Sequence, residues 1–258
     1  MSNPAPKTNA YKQATYRLLS AVLLLTTALS AAASSHHTIE TATLKNDAYP
    51  CANDMQTPSH HSKYQNTHQR AMMCMLTALK NYQQKNMTAH QQYFAYKAQA
   101  WIIYAIHQDS MNSRSAAGLQ AAQNAETILA ALKDGTEQDV NLMPDIPSNS
   151  ALIRPDLWAT LSALKKSDGI TSAPRELAFS EISLIWAATN QCERGWRQSS
   201  SYFRMADRWL EQAREAYVNA HDAAANVALE TLIVSYYDKY APLDANEDIC
   251  RGQVLPTI

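Results

Sequence analysis

The sequence predicts an all-α protein of six or seven helices packed in antiparallel pairs. Three observations support this class. Hydrophobic residues make up 46% of the 258 residues, and only five residues are glycine. No proline lies between Ser59 and Met143, so nothing there interrupts a long helix. Runs of β-branched residues long enough to form a strand are nearly absent.

Residues 1–33 have the layout of a secretory signal peptide. Three cations, Lys7, Lys12 and Arg17, precede the uncharged segment 18–33, and Ala31 and Ala33 match the A-x-A pattern before a cut near residue 34. A retained leader is the alternative and would anchor the protein in the membrane, since its apolar length is borderline. Residues 34–68 follow as a polar arm, which we expect to be flexible because it has no sustained apolar period.

A helical domain is predicted over residues 69–241, followed by an irregular tail over 242–258. Its central stretch, 93–132, indicates two antiparallel helices joined by a polar loop. The first of these helices is apolar on nearly every side and carries one charge, Lys97. The second repeats small and aliphatic residues at helical spacing, and Gly135 is its expected C-cap.

Proline and glycine mark the later helices. Pro155 opens a predicted helix over 153–166, Pro174 opens one over 175–190, and Gly195 ends the latter. Residues 196–240 contain neither glycine nor proline and form either one very long helix or two. We favour two helices with a joint at 219–222, because average helices are far shorter than 45 residues.

The two strongest helix pairs resemble each other. Setting KAQAWIIYAIHQ beside FSEISLIWAATNQ aligns Tyr104 with Trp186, and AETIL then aligns with ADRWL after a one-residue gap. Two such pairs predict a loosely tetratricopeptide-like repeat. The alternative is that alanine-rich helix pairs resemble one another for packing reasons alone.

The four cysteines predict disulfides, because an even number in an exported chain is typical of cross-linked proteins. We predict the pairs Cys51–Cys74 and Cys192–Cys250, each tying a loose segment to a helix. The alternative for Cys74 is a buried thiol inside the apolar run MMCML. The spacing contains no C-x-x-C, which disfavours a redox motif or a zinc ribbon.

The net charge and the positions of the histidines limit the classes of ligand that we expect. Without the leader, 19 basic and 23 acidic residues leave a net charge of −4, which argues against a broad nucleic-acid or anionic-membrane footprint. A metal site would need several ligands held together in fixed geometry, and we therefore predict no metal and no cofactor. Metal binding by the arm remains an alternative, through His36, His37, His60, His61 and His68.

No catalytic residue is predicted. G-x-S-x-G is absent, and four glutamates that could be guessed as glycosidase acids each fall at a helical position where a solvated acid is expected. These are Glu126, Glu176, Glu181 and Glu193. An envelope polysaccharide hydrolase or lyase is nevertheless the alternative function. A glutamate buried beside a second titratable group in a deep pocket would support it.

Polar residues at helix starts and turns form a candidate binding cluster. If the turns lie at one end of the bundle, three arginines could clamp a carboxylate or phosphate. The alternative is that they pin loops to the bundle. The five tryptophans are expected in the core, although tryptophan can also grip a ligand. The cluster comprises Asn112, Arg114, Arg154, Asp156 and Arg197, beside Trp158 and Trp196.

Five segments carry a family resemblance: KAQAWIIYA, NSRS, IRPDLWA, EISLIWA and GWRQSSSY, spread over residues 93–210. In this order they resemble the helical N-terminal region of proteobacterial envelope proteins of the OmpA-like family. The resemblance implies an envelope location and an all-α module. Members commonly continue into an OmpA-like peptidoglycan-binding domain, whereas only eighteen residues follow Tyr240 here.

The expected function is therefore a non-enzymatic, exported interaction or scaffold module of the bacterial cell envelope. The expected location is the periplasm. We expect its partner to be another envelope protein, with no nucleic-acid partner and no stable membrane span after leader removal. The oligomeric state is left open.

Overall fold

Eight α-helices follow one another in the part of the chain described by the computed structural model, residues 67–111, 116–142, 146–244 and 250–256. These residues lie within one compact unit, Leu44–Ile258. The only β-pairing among them is an isolated bridge between Ile146 and Gln253, so the predicted all-α class is confirmed. The helices are α1 Thr67–Leu79, α2 Ala89–Ser110, α3 Ala117–Asp134, α4 Pro155–Lys166, α5 Gly169–Ser172, α6 Pro174–Arg194, α7 Trp196–Ala220 and α8 Ala223–Asp244.

The central helices α2 and α3 pack as an antiparallel pair. A capping box starts α2, in which the Thr88 hydroxyl accepts from the Gln91 N–H and the Gln91 side chain accepts from the Thr88 N–H. At the start of α3, a Cβ added to Gly118 would lie 3.0 Å from the Gln108 Cβ near the end of α2. The small residue thus permits the close contact. Gly135 ends α3 with φ 68°, as predicted.

Helices α6 and α7 form the second antiparallel pair. Gly195, with φ 89°, is the single residue between them. Near the turn, the Ser199 hydroxyl donates to the Gln191 side-chain oxygen at 3.2 Å. Farther from the turn, the rings of Trp186 and Tyr202 stack with centroids 4.4 Å apart. Earlier residues of α6 therefore contact later residues of α7, which is the pattern of an antiparallel helical hairpin.

The first helices of the two pairs, α2 and α6, run in the same direction. Lys97 of α2 contacts Glu181 of α6, and one to two turns later Tyr104 stacks on Trp186 at 4.7 Å. In tandem helix-pair repeats, the first helices of neighbouring pairs run in the same direction, as α2 and α6 do here. The internal repeat itself stays a prediction.

The predicted joint in the long C-terminal segment is confirmed. Helix α7 ends at Ala220 and α8 begins at Ala223. Helix α8 packs mainly on α4, where the Tyr240 hydroxyl and the Ser162 hydroxyl are 3.0 Å apart in the core. The helix runs through Pro242, so the predicted start of the irregular tail at residue 242 is too early.

The segment 250–256 is linked to the rest of the domain by a disulfide and by backbone hydrogen bonds. A disulfide joins Cys192 to Cys250, which confirms that predicted pair. The Ile146 N–H donates to the Gln253 carbonyl at 2.8 Å. Gly252 has φ 71°, and a Cβ there would lie 2.5 Å from the Ile146 carbonyl oxygen, so this approach requires glycine.

Two further expectations concern cysteine and membrane association. Cys74 is disulfide-bonded, and Cys51, its predicted partner, lies outside the described residues. None of the described helices has both the length and the apolar character of a membrane-spanning segment. The predicted leader and most of the polar arm also lie outside the described residues.

Candidate functional site

The first part of the predicted arginine cluster is a local ion pair. Arg154, at the start of α4, contacts Asp156 of the same helix at 2.6 Å, and both side chains are nearly half exposed. Trp158 is 2% exposed and belongs to the core, so it cannot line a ligand site on the surface. Asn112 and Arg114 lie outside the described residues.

The second part of that cluster is Arg197, beside Trp196 at the start of α7. The Arg197 guanidinium sits 5.9 Å from the Trp196 ring centroid, and no hydrogen bond or ion pair in the described chain links Arg197 to Arg154. The pKa of Arg154 is raised by its hydrogen bond to Asp156 and by the charges of Asp156 and Asp207. Asp207 lies about 15 Å along α7 from Arg197. A shared site of Arg154 and Arg197 therefore stays a prediction.

The core placement of Trp196 is also wrong. This side chain is 68% exposed, because it is the first residue of α7 and stands at the turn after Gly195. Trp101, Trp158 and Trp186 are buried as expected. Among the described residues of the predicted site, Arg154 and Asp156 thus form an exposed ion pair, and Trp196 is an exposed ring.

A different set of polar side chains meets inside the bundle, where α2, α4 and α6 converge. Lys97 Nζ of α2 lies 2.8 Å from Glu181 Oε1 of α6. Lys165 Nζ of α4 donates to Glu181 Oε2, also at 2.8 Å. The Tyr93 hydroxyl donates to the same Oε2. We call these four residues the lysine–glutamate cluster.

The lysine–glutamate cluster is almost fully removed from solvent. The side chain of Glu181 is 0% exposed, and those of Lys97 and Lys165 are 4% and 2% exposed. The expectation that Glu181 is a solvated acid is therefore wrong. Both ammonium groups also lie near the face of the Tyr93 ring, at 5.6 and 5.4 Å from its centroid.

Burial and charge act against each other in this cluster. Burial alone would raise the pKa of Glu181, but the charges of Lys165 and Lys97 outweigh it and lower that pKa to about 2. Burial, helped by Lys97, lowers the pKa of Lys165 to about 8 despite the attraction of Glu181. Burial and Glu181 raise the pKa of Tyr93. With both lysines in their charged form, the cluster contains two cations and one anion, a formal charge of +1.

One member of the cluster borders a cavity of about 380 Å³. Lys97 lies at the buried end, together with apolar residues that are each at most 5% exposed. Side chains closer to solvent, among them Asn141 and Thr127, form the rim. The lining consists of Lys97, Trp101, Gln120, Asn124, Thr127, Ile128, Val140, Asn141, Ile146, Pro147 and Ile185.

The cluster lacks the features of a hydrolytic centre. Glycoside cleavage uses two carboxyl groups, one of which carries a proton, whereas Glu181 is the only carboxylate here and is ionised. Glu181 also does not line the cavity. The other candidate acids lie apart from the cluster: Glu126 and Glu176 are partly exposed, and Glu193 is exposed.

No metal centre is formed by the described residues. They contain no group of three or more histidine, cysteine, aspartate or glutamate side chains able to hold a metal ion. Four of the five arm histidines, His36, His37, His60 and His61, lie outside the described residues.

The fold and its site define an all-α, disulfide-bonded protein with a buried lysine–glutamate cluster beside a cavity. No family model, curated protein or solved structure matches the chain. Sequence reasoning missed the cluster, although Lys97 and Glu181 are isolated charges among apolar helix neighbours. That isolation is the signal that could have found it.

The lysine–glutamate cluster predicts an unusual dependence of the free energy of unfolding on pH. Lys165 has a folded pKa of about 8, below its ordinary 10.5, so between these values the unfolded chain binds more protons than the folded one. We therefore expect the free energy of unfolding to rise as the pH rises from 8 to 10. Above pH 10 the unfolded chain loses the Tyr93 proton before the folded one does, because folding raises the pKa of Tyr93. This group therefore lowers the free energy of unfolding there.

Urea unfolding at pH 7, 8, 9 and 10 measures this effect, with Lys165→Met as the control. The variant should lose the alkaline rise that the wild type shows. Identical pH profiles for the two proteins would show that Lys165 is not responsible.

Proposed function

We propose that the protein is a non-enzymatic interaction module of the bacterial cell envelope that binds another envelope protein through α8. The observation that carries this proposal is an apolar stripe on the exposed face of α8. Val227 and Val234 are 67% and 59% exposed and lie seven residues apart, so they share a face. Tyr237, three residues further on, is 44% exposed.

The stripe also contains the exposed polar side chains of Glu230 and Thr231, which lie on the same face between Val227 and Val234. Non-obligate protein interfaces mix polar and apolar side chains in this way and are enriched in tyrosine. The opposite face of α8 is occupied, because Leu229, Tyr236 and Tyr240 are buried. The helix is therefore already docked on one side and presents valine and tyrosine on the other.

Export is supported by two independent features. The Cys192–Cys250 disulfide is typical of oxidising compartments such as the periplasm. Residues 1–33 have the charge and apolar pattern of a secretory leader. The resemblance to the helical region of OmpA-like envelope proteins agrees with both.

The polysaccharide hydrolase or lyase is the less favoured alternative. Glu181 is buried beside other titratable groups, as such an enzyme would require. Its proton is absent at neutral pH, however, and no second carboxylate accompanies it in the lysine–glutamate cluster. The same residues are better explained as a brace between three helices.

Site-specific photocrosslinking in the native host tests the interaction. A photoreactive residue at position 227 or 234 should give the same envelope protein as a discrete adduct. The same residue at Gln123, an exposed position of α3, is the matched control and should not give that adduct.

Cell fractionation and alkylation of thiols should accompany this experiment. We expect the protein in the periplasmic fraction with Cys192 and Cys250 oxidised. A cytoplasmic, reduced protein, or adducts that are identical at positions 123, 227 and 234, would overturn the proposal.

A further inference from the structure

We propose that the cavity beside Lys97 is a binding site for a small organic monocarboxylate with a flat, apolar body. This goes beyond the interaction module, and it does not depend on the partner or on the cellular location. The cavity lies among α2, α3, α6 and the residues Val140, Asn141, Ile146 and Pro147, whereas the proposed protein-binding stripe is on α8.

The first argument is the unbalanced charge at the buried end of the cavity. Lys97 and Lys165 share one carboxylate, so the lysine–glutamate cluster carries one positive charge in excess. Glu137 is another buried acid, but it neither lines the cavity nor influences the pKa of Lys165 or Glu181. A buried charge without a counter-ion is costly, and a bound anion would remove that cost.

The second argument is the bonding of Lys97. Its ammonium group lies 2.8 Å from Glu181 Oε1, the one carboxylate oxygen that it contacts among the described residues. The rings of Tyr93 and Phe94 also lie near this ammonium group, but their centroids are 5.6 and 6.0 Å away and accept no N–H hydrogen bond at that distance. An ammonium group has three N–H donors, so donors remain for an acceptor in the cavity.

The third argument is the division of the lining into an apolar end and a polar rim. Trp101, Ile128 and Ile185 are buried around the inner part, and their surfaces suit a flat hydrocarbon or aromatic body. The rim supplies further polar atoms, in the amides of Gln120 and Asn124 and in the Thr127 hydroxyl, which donates to the Gln123 carbonyl and can still accept a hydrogen bond. A volume of about 380 Å³ falls within the range of small-molecule sites.

The excess of a single charge selects the ligand class. A carboxylate with charge −1 balances the lysine–glutamate cluster, whereas a phosphate dianion would bring an unbalanced negative charge into an apolar site. The geometry thus favours a monocarboxylate whose head meets Lys97 and whose body meets Trp101.

Ligand-observed NMR titrations of the purified full chain test the site with three probes at pH 7: 3-phenylpropionate, its neutral amide, and acetate. We expect the Kd of 3-phenylpropionate to be about tenfold or more below that of the amide, because an ionised acceptor strengthens a hydrogen bond to ammonium. Acetate should bind more weakly than 3-phenylpropionate, because it lacks the apolar body.

Two variants separate the cavity from general effects on the protein. Thr127→Trp fills the rim and should weaken 3-phenylpropionate binding at least tenfold, whereas Gln123→Trp, one turn away on the exposed side of α3, should leave it unchanged. Lys97→Met should remove the preference for the carboxylate over the amide. If the Lys97→Met protein does not fold, the comparison of Thr127→Trp with Gln123→Trp still shows whether 3-phenylpropionate binds in the cavity.

Equal affinities for 3-phenylpropionate and its amide would overturn the proposal. So would equal binding by the Thr127→Trp and Gln123→Trp proteins. Neither result would touch the proposed interaction through α8, since the titrations use the protein without any partner.

Discussion

Replacing Glu181 by glutamine is expected to lower the free energy of unfolding at pH 7 by about 3–5 kcal/mol. The reason is that Glu181 is the only anion between Lys97 and Lys165, and all three side chains are at most 4% exposed. Without the carboxylate, two buried ammonium groups would repel each other. Urea unfolding followed by circular dichroism measures the loss.

The exposed ion pair between Arg214 and Glu230 supplies the matched control for Glu181→Gln. Its side chains are about half exposed, so Glu230→Gln should change stability by no more than about 1 kcal/mol. Adding Lys97→Met and Lys165→Met to Glu181→Gln should recover most of the loss, because apolar side chains of similar length tolerate burial. Equal small losses at positions 181 and 230 would contradict the proposed burial of the lysine–glutamate cluster.

Removing the Cys192–Cys250 disulfide is expected to be nearly as damaging. The two cysteines are separated by 58 positions, and the loop entropy that their bond removes from the unfolded chain corresponds to about 4 kcal/mol. The double variant Cys192→Ser/Cys250→Ser should show this loss in urea unfolding under non-reducing conditions, in which the disulfide of Cys74 is retained.

The corresponding double alanine variant controls for the polarity of serine. It should lose the same amount as the serine variant, since the effect depends on the cross-link rather than on the replacing side chain. A loss below about 1 kcal/mol in both variants would show that the bond contributes little to the native state.

Most of the fold follows from local signals in the sequence. Pro155 and Pro174 stand at the first positions of α4 and α6, and Gly135 and Gly195 end α3 and α6 with positive φ. These signals act within one turn of helix, so a single sequence shows them. The end of α8 was misjudged because proline usually ends a helix, whereas α8 continues past Pro242 to Asp244, and Gln253 Nε2 donates to the Leu243 carbonyl there.

The candidate site was harder to predict because its partners are distant in sequence. Lys97 and Glu181 are visible as isolated charges, but Lys165 is followed by Lys166 in the last turn of α4, where solvated cations are ordinary. Only the packing of three helices shows that Lys165 faces inward. In contrast, the partner of Arg154 is Asp156, only two residues away, so this ion pair lies within the range of local sequence patterns.

The packing of α8 on α4 has a consequence for the order of assembly. During synthesis, a nascent chain that has emerged only through α7 contains both helix pairs, yet Ser162 still lacks the hydroxyl of Tyr240, and Ile146 lacks its bridge to Gln253. The contacts that close the domain join residues up to 107 positions apart, and long-range contacts form late. These contacts cannot form before residues 223–255 have been synthesised, so we expect the domain to complete its packing only at the end of synthesis.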